Sequence, residues 1–118
     1  MIPFPAGTIP HSLKAWVQDL DSNGKPTVTL DFGILSGSYL DADTPARTCG
    51  TEFATASTVG QAGGVIDVAS NLMLGLAPSL SDRAIGFRVA AAAATLTAGA
   101  RIRMQGLFIP APQGVAFA

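Results

Sequence analysis

The chain has 118 residues, which suits one domain that buries its own core without a disulfide or a metal. Apolar residues make up 48% of it and charged residues only 13%, about half the ~25% share typical of soluble domains. A net charge of -1 with scattered Lys and Arg lacks the basic patch that nucleic-acid binding needs. The low charge leaves much uncharged surface, and surface of this kind is often buried in an assembly.

The sequence also lacks the signals of membrane and secreted proteins. No apolar run approaches the ~20 residues needed to span a bilayer, because Gly, Pro, Asp, Arg or Asn interrupts each one. The segment Met1–Pro5 has neither the basic region nor the apolar stretch of a secretory signal. We therefore expect a soluble protein that is made in a cytoplasm and binds neither nucleic acid nor membrane.

The first third of the chain predicts an extended segment followed by two strands. Residues 1–11 carry three prolines, which lack a backbone donor and fix φ, so we expect an extended N-terminal arm. Residues 13–17 alternate in polarity with the period of two that a half-buried strand shows. The turn at Asn23-Gly24 separates them from a second alternating run, residues 27–32, and we expect the two strands to pair as a hairpin.

Weaker patterns continue through the middle of the chain. Tyr39-Leu40 suggests a short edge strand, and residues 51–57 and 65–68 read as further strands between turn clusters. The apolar run 71–76 is too short for periodicity to assign it to helix or strand. This region therefore adds at least two short strands.

The second half shows the clearer alternation, in residues 85–89 and 102–108. If these two strands pair as a hairpin, arginines lie side by side, which favours an acidic partner such as Asp67 or a neighbouring subunit. Residues 110–118, with two prolines in the first three positions, leave sheet geometry and form a C-terminal arm. The arginines on the shared face are Arg88, Arg101 and Arg103.

Six to eight short strands with regular turn signals and no amphipathic helix predict an all-β fold. We expect a single-domain β-sandwich, jelly-roll-like in arrangement, over residues 1–118. The sandwich itself takes residues 12–109, and the two arms take residues 1–11 and 110–118.

The residues that could carry catalysis or a metal are few. His11 is the only histidine and Cys49 the only cysteine, so together they cannot supply the three or four ligands of a zinc site. No nucleophile motif accompanies either residue, and a lone cysteine among small residues is more often a packed side chain. We expect no enzyme activity, no catalytic residue, no metal and no cofactor.

Two other features admit a binding role. Asp41 and Asp43 stand in a D-x-D spacing that can hold calcium, although a solvated turn is favoured because the rest of an EF-hand loop is missing. Trp16 alternates with the apolar positions of its strand and could lie exposed, where it would stack on a sugar or anchor an interface. A core position for Trp16 in a strand covered on both sides is the favoured interpretation.

A pattern over most of the chain resembles small virion structural proteins of tailed bacteriophages. Its parts are Phe4-Pro5-Ala6-Gly7-Thr8-Ile9, Ala15-Trp16-Val17, residues 27–33, Tyr39-Leu40-Asp41-Ala42 and a late strand over residues 100–109. The resemblance implies a β-sandwich that acts in assembly and has no catalytic residues to carry over. Many such proteins are capsid decoration or cement proteins, often oligomeric, and others belong to head fibres or tails.

The residues and the resemblance together predict a non-enzymatic virion structural protein, assembled in the host cytoplasm. We expect a decoration or cement protein that stabilises the head between capsomers, as a homodimer or homotrimer on the major capsid protein or other virion proteins. The alternatives are a tail, neck or head-fibre protein, and a carbohydrate-binding module with Trp16 and Tyr39 as its platform. The residues expected at the interface are Ile2, Phe4, Ile9, Trp16, Tyr39 and Phe117.

Overall fold

The computed structural model describes residues 2–37, 39, 47–69 and 79–110. Outside the described residues lie the apolar run 71–76, which the sequence left unassigned, Asp41 and Asp43, and most of the C-terminal arm. A 3₁₀ turn spans Val59–Gln61, and no helix in the described ranges has the length and hydropathy to cross a membrane. The described strands are β1 (Ile2–Phe4), β2 (Thr8–Val17), β3 (Thr29–Leu35), β4 (Ala54–Ser57), β5 (Gly64–Ala69), β6 (Arg83–Ala91) and β7 (Ile102–Pro110).

The strands form two antiparallel sheets that pack face to face, which confirms the predicted all-β sandwich. One sheet has the order β1-β6-β3-β4 and the other has the order β5-β2-β7. The chain crosses between the sheets repeatedly, so that β3 and β4 are the one consecutive pair of described strands that are hydrogen-bonded neighbours. Every described pairing is antiparallel.

The core lies between the sheets and follows the alternation of the sequence. In β2, Leu13, Ala15 and Val17 are buried while Lys14 and Trp16 point the other way and stay partly exposed. The opposite sheet adds side chains that solvent does not reach, and together the two inner faces make one cluster. Its fully buried large members outside β2 are Phe4, Leu30, Phe32 and Ile85.

The predicted hairpin is wrong, and the hairpin considered for the last two strands is not formed. The strand containing residues 13–17 pairs with β5 and β7, whereas the strand after the Asn23-Gly24 turn belongs to the other sheet. Likewise β6 and β7 lie in different sheets. Arg88 therefore forms its ion pair with Asp31 on β3, and Asp67 forms an ion pair with Lys14 rather than with an arginine. Sequence neighbours often pair in sheets, but in a sandwich the inner faces are covered only if the chain crosses over.

A buried carboxylate fixes the crossover that follows β2. Asp21 is almost inaccessible and lies where the loop leaving β2 meets the loop between β6 and β7. Five backbone N–H groups donate to it at 2.8 to 3.3 Å, from Asn23, Thr27, Val28, Ala94 and Thr95. Burial acts to raise the pKa of Asp21, but these donors outweigh it and hold the pKa well below its ordinary value of 3.8.

The N-terminal residues differ from the expected arm because they belong to both sheets. β1 pairs with the start of β6, and its last residue, Phe4, is 0% exposed and packs on Phe108 with ring centroids 5.1 Å apart. The following turn is also tied down, since the Ala6 N–H donates to an Asp82 carboxylate oxygen at 2.9 Å. Proline is compatible with this geometry because an edge strand such as β1 leaves alternate N–H positions unbonded.

Candidate assembly interface

The outer face of the three-stranded sheet gathers large side chains that the core does not use. We call it the Trp16 face, after the residue at its centre. Register places Trp16 between Val65 on β5 and Arg103 on β7, so these three side chains share one surface. The Trp16 face consists of Ile9, Lys14, Trp16, Val65, Asp67, Arg103, Gln105, Leu107 and Ile109.

One half of the Trp16 face is an aromatic ring flanked by cations. The Lys14 ammonium lies 5.9 Å from the centroid of the Trp16 ring, and the Arg103 guanidinium lies 6.0 Å from it. Lys14 also forms an exposed ion pair with Asp67 at 3.5 Å. Trp and Arg are the residues most enriched at the energetic centres of protein interfaces, so this half has the composition of a docking site.

A shallow recess opens beside the same ring, at the end of the sheet. Trp16, Val65, Arg101 and Arg103 are among the residues that line it. The Arg101 backbone is held in place because its N–H donates to the Gln18 side chain at 2.8 Å. A recess lined by apolar side chains and two arginines suits a partner that brings an apolar side chain with a carboxylate beside it.

The other half of the Trp16 face is apolar. Leu107 is 54% exposed, and Ile109 lies directly opposite Ile9 in the ladder. Three aliphatic side chains therefore meet on one solvent-facing patch where a half-buried sheet ordinarily carries polar residues. Contiguous apolar surface of this kind marks an interaction site more often than scattered exposed residues do.

The six residues expected at the interface do not share one surface in the structure. Ile9 and Trp16 lie on the Trp16 face, which makes the favoured core position of Trp16 wrong. Ile2 is half-buried against the core. Phe4 is fully buried and offers no surface to a partner, so its assignment to an interface is wrong, because the N-terminal segment is part of the sandwich. Phe117 lies outside the described residues.

Tyr39 is separated from Trp16. Its backbone N–H donates to the Asp82 carbonyl at 3.3 Å, next to the start of β6. That end of the sandwich is where Phe4 packs on Phe108, while Trp16 lies towards the other end of β2 and on the other sheet. The two aromatic rings that a sugar platform would need are therefore not brought together.

The two residues considered for catalysis are also apart. His11 is exposed at a bulge in β2, and Cys49 is half-buried beside β3 in the other sheet. Burial, followed by the nearby Glu52 carboxylate, raises the pKa of the Cys49 thiol, which is opposite to what a nucleophilic cysteine requires. Among the described residues, no group of three or more His, Cys, Asp or Glu side chains is placed to hold a metal ion.

The sequence did not single out Leu107, Ile109 or Val65, although they form much of this surface. The available signal was in β7, where large apolar residues occupy both faces of the strand rather than one. A strand with one solvent face ordinarily alternates apolar and polar residues. Met104 and Leu107 lie on opposite faces of β7, so the outer face of this strand departs from the polar composition expected of a face in water.

The fold is a two-sheet sandwich whose outer face at Trp16 carries aromatic and apolar side chains. The solved structure described as "Capsid of Ralstonia phage GP4" contains a chain that is 40% identical and aligns with a TM-score of 0.84. The match covers 94% of this chain and 71% of that one. The chain belongs to the family of that phage capsid chain and is a structural component of the virion. No family model and no curated protein matches it.

Proposed function

We propose that this protein is a capsid decoration or cement protein, which stabilises the phage head by binding between capsomers through the Trp16 face. The observation that carries the proposal is the composition of that face: a partly exposed Trp16 between two cations, continued by an aliphatic patch at Leu107 and Ile109. The partner is the major capsid protein or another virion protein.

The physical basis is the balance of burial and charge. Aromatic side chains bury a large area for the little conformational entropy they lose, and Arg offers several N–H donors in a fixed plane, so a few such residues dominate the affinity of an interface. Arg103 and Arg101 at the rim add selectivity for an acidic segment, because an unpaired positive partner placed there would be repelled. No covalent step is needed for this role, and it agrees with a chain that is 13% charged.

Shell-binding measurements test the proposal. Capsid shells that lack this protein are incubated with the wild type or with Trp16→Ala and Arg103→Glu, and the bound fraction is measured by sedimentation. Truncation of a central Trp costs about 2 kcal/mol or more in known interfaces, so binding should weaken roughly thirtyfold. Lys25→Glu is the matched charge-reversal control, since Lys25 is exposed in the turn after β2, away from the face.

Two outcomes separate this proposal from its alternatives. Shell binding that is unchanged by both Trp16→Ala and Arg103→Glu contradicts the assigned surface. Retention of the protein by isolated tails rather than by shells would instead assign it to the tail or neck. A glycan array with the same Trp16 variant addresses carbohydrate binding, for which the open recess beside Trp16 is the supporting observation.

A further inference from the structure

The turn after β2 contains the dipeptide Asn23-Gly24, and both residues are exposed. An asparagine that precedes glycine deamidates readily, because glycine has no side chain to hinder attack by its backbone nitrogen on the asparagine side chain. The sequence contains this pair once, since the other asparagine, Asn71, precedes leucine. Apart from chain neighbours, no heavy atom lies within 4 Å of the position that a Cβ would take on Gly24. The pair therefore has the sequence and the access to water that deamidation requires.

Hydrogen bonds hold the Asn23 side chain in the folded protein. Its Nδ2 donates to the Thr95 hydroxyl at 3.1 Å, and its Oδ1 accepts from the Lys25 N–H at 2.9 Å. Nδ2 is the atom that leaves as ammonia, so its contact with Thr95 has to break during the reaction. A hydrogen bond between neutral groups at a surface contributes little net free energy, so this contact should slow deamidation roughly fivefold rather than prevent it.

Asn23 also helps to bind the buried Asp21 carboxylate. The Asn23 N–H donates to Asp21 at 3.2 Å, and the Thr27 and Val28 N–H groups donate to it from the end of the same turn. The backbone from residue 23 to residue 27 therefore sets where these donors lie. Asp21 is 1% exposed, so water cannot replace a donor that moves away unless the loop opens.

We propose that Asn23 is a site of spontaneous deamidation, and that its conversion to isoaspartate loosens the crossover held by Asp21. The Gly24 nitrogen forms a bond to Asn23 Cγ, the Cγ–Nδ2 bond breaks, and Nδ2 leaves as ammonia with the proton that the Gly24 nitrogen gives up. The product is a cyclic imide. Water then hydrolyses one of the two C–N bonds of the imide that join residues 23 and 24, which yields aspartate or isoaspartate without any oxidant or reductant.

The two products differ in what they do to the turn. Aspartate keeps the length of the main chain and adds a negative charge close in sequence to Asp21. Isoaspartate adds the same charge and also routes the main chain through the former side chain, which inserts a methylene between residue 23 and Gly24. The inserted methylene should displace the Thr27 N–H from Asp21. Residues 21–28 are not part of the Trp16 face, so this inference stands apart from the proposed function, and either can fail alone.

Peptide mass spectrometry of the purified chain during incubation at mildly alkaline pH tests the site. Asn23 should gain the mass that corresponds to replacing NH₂ by OH, more slowly than a synthetic peptide of residues 20–28 does. Gly24→Ala should nearly abolish the conversion, because its methyl group hinders the attacking nitrogen. Open space around Gly24 lets this variant fold.

Thr95→Val tests the restraint on the leaving amide. It removes the hydroxyl that accepts from Asn23 but keeps the Thr95 N–H that donates to Asp21, so conversion should become roughly fivefold faster. Ser22→Ala is the matched control, because it removes a neighbouring exposed hydroxyl whose distance to the Thr95 carbonyl is 3.5 Å. Its conversion rate should equal that of the wild type.

Urea unfolding of the converted protein, separated by ion exchange, tests the link to Asp21. The isoaspartate form should unfold at a lower urea concentration than Asn23→Asp, which carries the same charge on a main chain of normal length. Equal midpoints for these two proteins would overturn the link. The site itself is overturned if neither the wild type nor Thr95→Val converts in the time that the peptide needs for complete conversion, and equal rates for these two proteins would refute the restraint by Thr95.

Discussion

Replacing Phe4 with Ala measures whether the N-terminal segment is part of the core. Phe4 is 0% exposed, packs on Phe108 at 5.1 Å between centroids and has the Arg83 guanidinium 4.0 Å from its ring. Removing a fully buried Phe side chain costs about 3 to 5 kcal/mol of unfolding free energy. For a domain of this length, at about 4 °C per kcal/mol, the melting temperature should fall by roughly 12 to 20 °C.

The control is Phe87→Ala, which removes the same atoms from a side chain that is 40% exposed. Its cost should be about 1 to 2 kcal/mol, since part of the ring already contacts water. Thermal unfolding is followed by circular dichroism at low protein concentration, where oligomers contribute least. A Phe4→Ala melting temperature equal to or above that of Phe87→Ala would refute a core position for residue 4 and favour the extended N-terminal arm that the sequence predicts.

Three further predictions concern stability and reactivity. Because the folded-state pKa of Asp21 lies below its ordinary value of 3.8, the stability that its carboxylate contributes is present above about pH 4 and is lost as the pH falls further. Asp21→Asn should be less stable than the wild type at pH 7. In an acid titration followed by circular dichroism, the variant should lose less stability between pH 7 and low pH than the wild type does. Gly63→Ala, at φ 84 with the Asp19 nitrogen 3.1 Å from the new Cβ, should cost about 1 to 2 kcal/mol in urea unfolding, and Gly24→Ala should be close to neutral. Cys49 should react with a maleimide more slowly at pH 7 than a free thiol does, and an equal rate would contradict its burial.

The positions of the strands could be predicted from the sequence, because the alternation of apolar and polar residues indicates which side chains are buried. The runs at residues 13–17, 85–89 and 102–108 all fall inside observed strands. The pairing partners of those strands could not be predicted, because a local pattern does not indicate which of the two sheets a strand joins. The predicted hairpin was wrong for this reason, and the one considered for β6 and β7 is not formed.

Residues whose roles depend on distant parts of the chain were the ones missed. Asp21 reads as a turn residue, and its donors Ala94 and Thr95 come from more than half the chain away. Phe4 reads as part of an arm because prolines flank it, yet its burial depends on β6 and β7. The Trp16 face was found in part, through Trp16 and Ile9, and its β7 residues became evident only once the register was known.

The copy number of the protein in purified virions tests the central claim most directly. Quantitative mass spectrometry, normalised to the major capsid protein, gives that number without any variant. A decoration protein bound between capsomers should be present in proportion to the capsomers over the whole head. A copy number that matches a single ring, as at a neck or tail, would contradict the decoration role while leaving the protein a component of the virion.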